Sequence, residues 1–309
     1  MADKMATREA YGKTLVAVGA ENPDLVVMDA DLSGSTKTKE FAKVYPERFF
    51  NMGIAEQNLY GAAAGLALSG KTVCASTFAM FASGRAFEII RNSIGYTHAN
   101  VKVCATHAGI TVGEDGASHQ TFEDLALMRT IPGMTVVNPS DGVSAEKLLR
   151  QVIDFDGPAY VRLGRAKVPT FYSADDEITL GKAKLLREGK DVTIIATGIM
   201  VPEAMDAALK LEAEGIDARV IDMHTIKPID EDIIIKAAEE TGKIVTAEEH
   251  SVIGGLGSAV AQVTAVKAPA RIRMVGQMDT FGESGKPDEL KEKYGMTAAN
   301  IVEAVKEIY

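Results

Sequence analysis

The chain has 309 residues, of which 46% are hydrophobic and 25% are charged, and its net charge is −10 at pH 7. This size and composition predict a globular protein of about two domains. The excess of acidic residues excludes a nucleic acid or an anionic membrane held by bulk electrostatic attraction. The chain shows no signal-peptide pattern and no run of 18 apolar residues, so a cytoplasmic protein is expected.

Helix and strand patterns alternate along the first half of the chain, which is typical of an α/β fold with a mainly parallel sheet. Strands are expected at 25–29, 71–76, 101–106, 135–137 and 159–162. Helices are expected at 7–21, 39–44, 85–99, 122–129 and 144–153, with a further helix after Glu56. Polar residues follow the strand ends, where parallel sheets bind ligands: Asp29, Asn51, Ser76, Thr106 and Asn138.

A stretch from Gly164 to Asp176 contains a proline, a serine and a run of acids, which indicates a linker. The alternation then resumes, so a second α/β unit is expected. Its strands are expected at 192–197, 218–222, 243–248 and 271–275. Its helices are expected at 202–214, 230–241, 257–267, 287–294 and 297–308.

The stretch from Asn51 to Asn58 leads into a run of small and apolar residues that ends at Gly70. A helix of this sequence is apolar nearly all round, which predicts that it is buried. Glu56 falls in its first turn, where the helix dipole favours a carboxylate. A carboxylate so placed either caps its own helix or shares a proton with a ligand, and the residues alone favour capping.

The loop from His107 to Gln120 holds two of the five histidines, and Asp115 lies between His107 and His119. Such a group of side chains can hydrogen-bond several hydroxyl groups or transfer protons. The histidine spacing matches no zinc pattern, and the acids match no calcium loop, so no metal site is expected here. A purely structural loop is the alternative.

Two further groups carry open alternatives. Phe78 and Phe81 follow a strand and either stack on a flat heteroaromatic ring or belong to the core. Arg8, Arg162 and Arg165 either bind a phosphorylated substrate or are ordinary arginines.

Several blocks occur in a fixed order over nearly the whole chain. They are Ala30-Asp31-Leu32, Gly53-Ile54-Ala55-Glu56-Gln57, Ser76-Thr77-Phe78, Ala105-Thr106-His107, Gly113-Glu114-Asp115-Gly116, His119-Gln120, Pro139-Ser140-Asp141-Gly142, Val161-Arg162-Leu163-Gly164-Arg165, Thr225-Ile226-Lys227-Pro228 and Phe281-Gly282-Glu283-Ser284-Gly285. In this order the blocks resemble the C-terminal half of transketolase.

The resemblance implies a pyrimidine-binding domain at 1–170, a linker at 171–184 and a transketolase C-terminal domain at 185–309. Family members hold a metal and the cofactor diphosphate with a Gly-Asp-Gly motif, which is missing from this sequence. The resemblance therefore implies one subunit of a split enzyme. A separate N-terminal subunit would hold most of the contacts to thiamine diphosphate and to Mg²⁺ or Ca²⁺, and an α2β2 assembly is expected.

The resemblance also implies roles for single residues. Glu56 resembles the glutamate that hydrogen-bonds the aminopyrimidine ring and activates the cofactor, and His107 and His119 resemble catalytic histidines that face the substrate. Contacts with the cofactor are implied for Phe78, Phe81, Asp31 and Arg85. A third aromatic residue of some family members is replaced here by Gly84. Contacts with the sugar phosphate are implied for Arg8, Ser35, His107, Asp115, His119 and Arg165.

The implied reaction is the transfer of a two-carbon ketol unit from a ketose phosphate to an aldose phosphate, in pentose phosphate metabolism or in a specialised catabolic route. One alternative is the β subunit of a 2-oxo acid dehydrogenase E1 component, which shares the domain plan. A deoxyxylulose-phosphate synthase fits less well, since that enzyme is normally one long chain. A non-catalytic subunit with the same fold is the alternative of a different class.

Overall fold

The structure is a computed structural model that describes residues 4–309. Its strands are β1 (Lys4–Met5), β2 (Leu25–Asp29), β3 (Phe49–Asn51), β4 (Thr72–Phe78), β5 (Val101–Thr106), β6 (Thr135–Val137), β7 (Ala159–Leu163), β8 (Val168–Pro169), β9 (Lys184–Arg187), β10 (Val192–Ala196), β11 (Ala218–Asp222), β12 (Thr225–Lys227), β13 (Lys243–Ser251) and β14 (Arg271–Gln277). Its helices are α1 (Thr7–Glu21), α2 (Ser33–Thr36), α3 (Lys39–Val44), α4 (Glu56–Leu68), α5 (Phe87–Ile89), α6 (Asp124–Thr130), α7 (Gly142–Asp154), α8 (Met200–Ala213), α9 (Glu231–Thr241), α10 (Leu256–Lys267), α11 (Pro287–Lys293) and α12 (Ala298–Ile308).

We call β1–β8 with α1–α7 the first unit and β9–β14 with α8–α12 the second unit. The sheet of the first unit has seven strands in the order β12-β6-β7-β5-β4-β2-β3. All of its pairs are parallel except the pair of β12 with β6. The edge strand β12, which the sequence pattern did not predict, comes from the second unit and joins the two units.

The second unit has a five-stranded sheet in the order β14-β13-β10-β11-β9, in which only β9 runs antiparallel. Every residue of β10 and β11 is buried, as expected for strands covered by helices on both faces. The predicted class, α/β with mainly parallel sheets in two units, is confirmed.

The prediction that the helix after Glu56 is buried all round is wrong. One side of α4 packs on the first sheet, but the other side is exposed, including Gln57, Gly61, Gly65 and Leu68. Nothing lies within 4 Å of a Cβ built on either glycine. The apolar pattern was symmetric, whereas the described residues cover only one side of the helix.

The helix expected at 85–99 begins earlier than predicted. Strand β4 continues to Phe78, which pairs with Thr106 of β5, and the chain then turns directly into helix. π-Helical turns run through Phe81–Arg85 and Ile90–Gly95, on either side of α5. Phe81 and Arg85 therefore lie on one helical segment at the carboxyl edge of the sheet.

Candidate active site at the carboxyl edge of the first sheet

A buried carboxylate at the end of β2 shapes one wall of the site. Asp29 accepts hydrogen bonds from the Leu32 amide (2.5 Å) and from the hydroxyls of Thr36 (2.6 Å) and Thr38 (2.9 Å). Burial raises the pKa of Asp29 above its ordinary value, although these donors oppose the rise. The bonds fold the chain after β2 into a tight loop, which places Ser35 beside α1.

Glu56 is the first residue of α4, and its side chain is only 2% exposed. The helix has Ala55 at its N-cap and no side-chain capping bond, so the carboxylate does not cap its own helix. Oε2 of Glu56 instead accepts a hydrogen bond of 3.2 Å from Nη1 of Arg85, whose side chain is 54% exposed. The buried carboxylate of Glu56 is therefore paired with a partly exposed guanidinium, which can swing out into solvent.

Four rings form a cluster next to this pair. Phe78 is 6% exposed, and its ring stacks on His107 at 3.9 Å between centroids. Phe81 lies 6.0 Å from Phe78 with nearly parallel rings, and it is partly exposed. His119 approaches both phenyl rings edge-on, at 6.2 Å from Phe78 and 5.4 Å from Phe81. Phe78 thus belongs to the core, while Phe81 is only partly covered and has the guanidinium of Arg85 over its ring.

His107 is held as a neutral ring. Burial and the charges of Arg8 and Arg165 lower its pKa to about 3. Nε2 of His107 lies 3.3 Å from Nη1 of Arg8, and its Nδ1 lies 2.9 Å from the Thr106 hydroxyl. Because a guanidinium can only donate, Nε2 accepts and the proton is on Nδ1.

Arg8 contacts two of the other predicted substrate residues, Ser35 and His107. Its Nη1 donates to the backbone oxygen of Ser35 at 2.8 Å and to His107. Burial and the charge of Arg165 lower the pKa of Arg8. Nε of Arg8 is buried and has no hydrogen-bond partner among the described residues. Arg8 with an unused donor, under the electrostatic influence of a second arginine, forms an environment that attracts an anion. We call Arg8, Ser35, His107 and Arg165 the anion pocket.

The guanidinium of Arg165 already makes two hydrogen bonds within the protein. Its Nη1 donates to Oε2 of Glu114 at 2.8 Å and also to the backbone oxygen of Val112. The Glu114 side chain is 60% exposed, so this ion pair contributes little and can exchange for a ligand.

Two other predicted residues lie at the rim. The side chain of Asp31 is exposed and accepts a hydrogen bond of 2.9 Å from Asn51. Asp115 is also exposed, at the end of the 3₁₀ turn Ile110–Asp115.

Arg162 is not part of the site, which corrects its interpretation as a candidate phosphate ligand. The side chain is 3% exposed and makes a bidentate ion pair with Asp124 at 2.8 and 3.2 Å. It also donates to the backbone oxygen of Glu249 at 2.8 Å. These neighbours raise its pKa despite burial, and the guanidinium is enclosed by the protein and not open to a substrate.

The sequence pattern did not point to Glu249, which hydrogen-bonds the Thr111 amide in the histidine-bearing loop from 138 positions away. The only local signal is a pair of acids at the end of an apolar strand.

Within residues 4–309, no group of three or more His, Cys, Asp or Glu side chains is arranged to hold a metal ion. In the same range no helix combines the length and the apolar character needed to cross a bilayer.

Comparison with known proteins gives two family matches in series. Residues 3–170 match the family "Transketolase, pyrimidine binding domain", and residues 181–301 match "Transketolase, C-terminal domain".

Named relatives cover nearly the whole chain. The "Putative transketolase C-terminal section" of Methanocaldococcus jannaschii is 52% identical over 97% of this chain and 95% of its own length. The "6-deoxy-6-sulfo-D-fructose transketolase subunit SqwH" of Clostridium sp. (strain MSTE9) is 45% identical, with 97% and 94% covered. A solved structure described as "Split gene transketolase, inactive beta4 tetramer" is 57% identical, with a TM-score of 0.93 over 98% of each chain.

Proposed function

The chain belongs to the transketolase family, as a C-terminal subunit of the split form, and from this premise we propose the activity of its complex. Together with an N-terminal subunit, it transfers a two-carbon ketol unit from a ketose phosphate to an aldose phosphate with thiamine diphosphate. The observation that carries the proposal is the placement of Glu56, a buried carboxylate beside a partly exposed aromatic face.

Arg85 provides a test of whether a pyrimidine ring fits. Its guanidinium is flat and carries N–H donors; it hydrogen-bonds Glu56 and lies over Phe81, with Cζ 5.1 Å from the ring centroid. An aminopyrimidine ring is also flat and carries N–H donors, so the same aromatic face and carboxylate can bind it. The residues therefore fit the cofactor ring, which would occupy the space between Glu56 and Phe81 once Arg85 moves aside. Asp31 and Phe78 would lie farther from the bound ring, and Arg85 would no longer occupy the space between Glu56 and Phe81.

Bound thiamine diphosphate would supply the nucleophilic carbon and the electron sink for cleaving the ketose. This chain would supply the proton relay that activates it. Glu56 lies in a dry pocket, where a carboxylate shares a proton with a ring nitrogen more effectively than it does in water. His107 is neutral, and its Nε2 would accept a hydrogen bond from a sugar hydroxyl once Arg8 turns from it toward the bound anion. His119 and Asp115 would contact the same hydroxyl groups from the exposed side of the loop.

The anion pocket would bind the far end of the sugar. Arg8 has an unused donor, and Arg165 has a partner that exchanges readily. A phosphate group suits two arginines because each can donate to two of its oxygens. One relative is named for a sulfonated fructose, and a sulfonate is the second candidate for this pocket because it presents a similar set of oxygens.

A partner subunit is supported by three observations. The sequence has no Gly-Asp-Gly motif, so the metal and the diphosphate would be held mainly by the N-terminal subunit. Two large apolar side chains are exposed at the two ends of α4, Ile54 just before the helix at 77% and Leu68 at its last residue at 65%, which is typical of a protein interface. The similar structure named above is described as an inactive β4 tetramer, which suits a chain that lacks its partner. We propose an α2β2 complex.

The test is reconstitution with the N-terminal subunit. The chain alone is expected to have no turnover, and the complex is expected to convert xylulose 5-phosphate and ribose 5-phosphate when thiamine diphosphate and Mg²⁺ are present. Full activity of the chain alone would refute the split arrangement. Turnover of pyruvate with a lipoyl acceptor would instead identify an E1 β subunit. A complex that assembles but is inert toward pyruvate and toward both phosphorylated and sulfonated ketoses would identify a non-catalytic subunit.

A further inference from the structure

The loop from 107 to 120, which we call the histidine loop, is held by the second unit of the chain. Glu249 lies on β13, and its carboxylate is buried. Oε1 of Glu249 accepts a hydrogen bond of 2.7 Å from the backbone amide of Thr111. A carboxylate that accepts from a buried amide makes one of the stronger hydrogen bonds in a protein. The second unit thus contacts the loop that carries His107 and His119, at a position four residues after His107.

The same carboxylate lies against the backbone two residues after His107. Gly109 has φ +78°, and a Cβ built on it would lie 2.3 to 2.6 Å from the three carboxyl atoms of Glu249. Any side chain at this position would displace the carboxylate, so the close approach requires glycine. The contact fixes the direction in which the loop leaves β5.

Glu249 is held in place in turn. Burial raises its pKa, while the charge of Arg162 and the Thr111 amide oppose the rise. Nη1 of Arg162 lies 3.9 Å from Oε2 of Glu249, and the same guanidinium is bound by Asp124. The partners of Arg162 come from both units, so the carboxylate cannot shift without breaking a buried ion pair.

The other end of the loop has a second attachment. Nε2 of Gln120 donates to the backbone oxygen of Glu283 at 2.9 Å and to loop oxygens of Ile110 and Gly113 at 3.3 Å. The second unit therefore contacts the histidine loop near both ends. Every candidate residue of the active site lies in the first unit, which leaves the role of the second unit open.

We infer that the second unit clamps the histidine loop, and that Glu249 is the residue that positions His107 and His119 for the sugar. Glu249 touches neither the cofactor pocket nor the anion pocket, so it acts through the loop. Its catalytic consequence depends on the proposed function, whereas its hold on the loop is a property of the chain itself.

The experiment compares Glu249→Ala with Glu249→Gln. The alanine removes the acceptor for Thr111, whereas glutamine keeps an acceptor of the same shape. In Glu249→Ala, the rate of amide hydrogen exchange of residues 107–120 is expected to rise about 10- to 100-fold. This factor corresponds to the free energy of one hydrogen bond to a charged group. Glu249→Gln is expected to restore most of the protection.

A neighbouring carboxylate provides the control. Glu248 is also buried, but it accepts from the amides of Leu256 and Gly257 at the start of α10 and does not contact the loop. Glu248→Ala, which removes the acceptor for those two amides instead, is expected to leave exchange of residues 107–120 unchanged. Equal loop exchange in Glu249→Ala and in the wild type would overturn the inference, and so would a rise spread evenly over the whole chain.

The kinetic measurement uses the reconstituted complex. Glu249→Ala is expected to lower kcat/KM for the ketose phosphate roughly tenfold or more, as expected for the loss of one charged hydrogen bond. The Kd for thiamine diphosphate should stay near the wild-type value, because Glu56 and Phe81 lie outside the loop. Unchanged kcat/KM with a mobile loop would overturn the positioning role. If the wild-type complex shows no transketolase activity, the proposed function fails, and the exchange data still decide whether Glu249 clamps the loop.

Discussion

Nη1 of Arg85 lies 3.2 Å from Oε2 of Glu56, and the same guanidinium lies over the ring of Phe81. The carboxylate is buried, whereas the arginine is about half exposed. Arg85 thus occupies the space that the proposed function gives to the cofactor ring. In the isolated chain the arginine satisfies a buried charge that would otherwise lack a partner.

Replacing Arg85 by alanine should therefore tighten cofactor binding. The ion pair and the contact with Phe81 are each worth at most about 1 kcal/mol at an exposed site, so the Kd for thiamine diphosphate should fall about three- to tenfold. Isothermal titration calorimetry on the reconstituted complex measures this. Weaker binding would show instead that Arg85 contacts the bound cofactor, as the family resemblance implies.

Replacing Glu56 by glutamine should abolish turnover and leave assembly intact. The amide keeps the shape of the side chain but cannot share a proton, and general acid–base groups contribute about 10² to 10⁴-fold to rates. Turnover and size-exclusion chromatography of the complex are the two measurements. Glu47→Gln serves as the control because the Glu47 side chain is 67% exposed. Near-normal turnover of Glu56→Gln would remove Glu56 from the mechanism.

The two phenylalanines of the cluster should respond differently to truncation. Phe78 is buried and stacked on His107, so Phe78→Ala should lower the free energy of unfolding by roughly 3 to 5 kcal/mol. Phe81 is partly exposed, so Phe81→Ala should lower it much less but weaken cofactor binding. Urea unfolding and calorimetry separate the two effects. Equal losses of stability would contradict the distinction between a core ring and a pocket ring.

Truncation of Arg8 should act on the charged end of the substrate. Arg8→Ala should raise KM for a ketose phosphate about 10- to 100-fold, as expected for the loss of charged hydrogen bonds, and should leave KM for the unphosphorylated ketose nearly unchanged. Steady-state kinetics with both substrates provide the check. The control is Arg150→Ala, since Arg150 pairs with the exposed Glu21. An equal effect on both substrates would exclude a phosphate role for Arg8.

Asp222 should make stability depend on pH. Burial raises its pKa from 3.8 to about 7, and Oδ2 accepts from the hydroxyls of Ser140 and Tyr172. The pKa is higher in the folded chain than in the unfolded chain, so its contribution to stability is present below pH 4. That contribution is lost as pH rises through 7. An asparagine in place of this aspartate would stay neutral at every pH and keep an acceptor for both hydroxyls.

The Asp222→Asn variant should therefore match the wild type near pH 4 and exceed it at pH 8 by up to roughly 4 kcal/mol. Urea unfolding at several pH values measures the difference. Asp232→Asn is the control, because the Asp232 side chain is 88% exposed. A difference that does not change with pH would show that the Asp222 carboxyl titrates alike in both states.

The sequence predicted five of the seven strands of the first sheet, because each of these is a short apolar run that ends in polar residues, and it missed β3 and β12. It also predicted a substrate cluster that included Arg8, Ser35 and His107, and the structure brings these three together. That grouping followed from the family resemblance, which implied contacts with the sugar phosphate for all three residues. The roles of these residues in binding remain predictions.

The sequence pattern misplaced features that depend on distant segments. Arg162 was a candidate ligand, but Asp124 and Glu249 surround it in the fold. Helix α4 was predicted to be buried, but no described segment covers its outer face. Periodicity reports which residues are apolar and does not report which of their faces another segment covers.

The order of residues by itself therefore determined the α/β class, the edge of the sheet that carries the site and the family resemblance, because these depend on local periodicity and on short blocks. Only the tertiary structure decided that Glu56 pairs with Arg85, that the imidazole of His107 is neutral and that Glu249 accepts a hydrogen bond from the Thr111 amide. Each of these depends on the burial and charge created when segments far apart in the chain come into contact, and no local pattern encodes that contact.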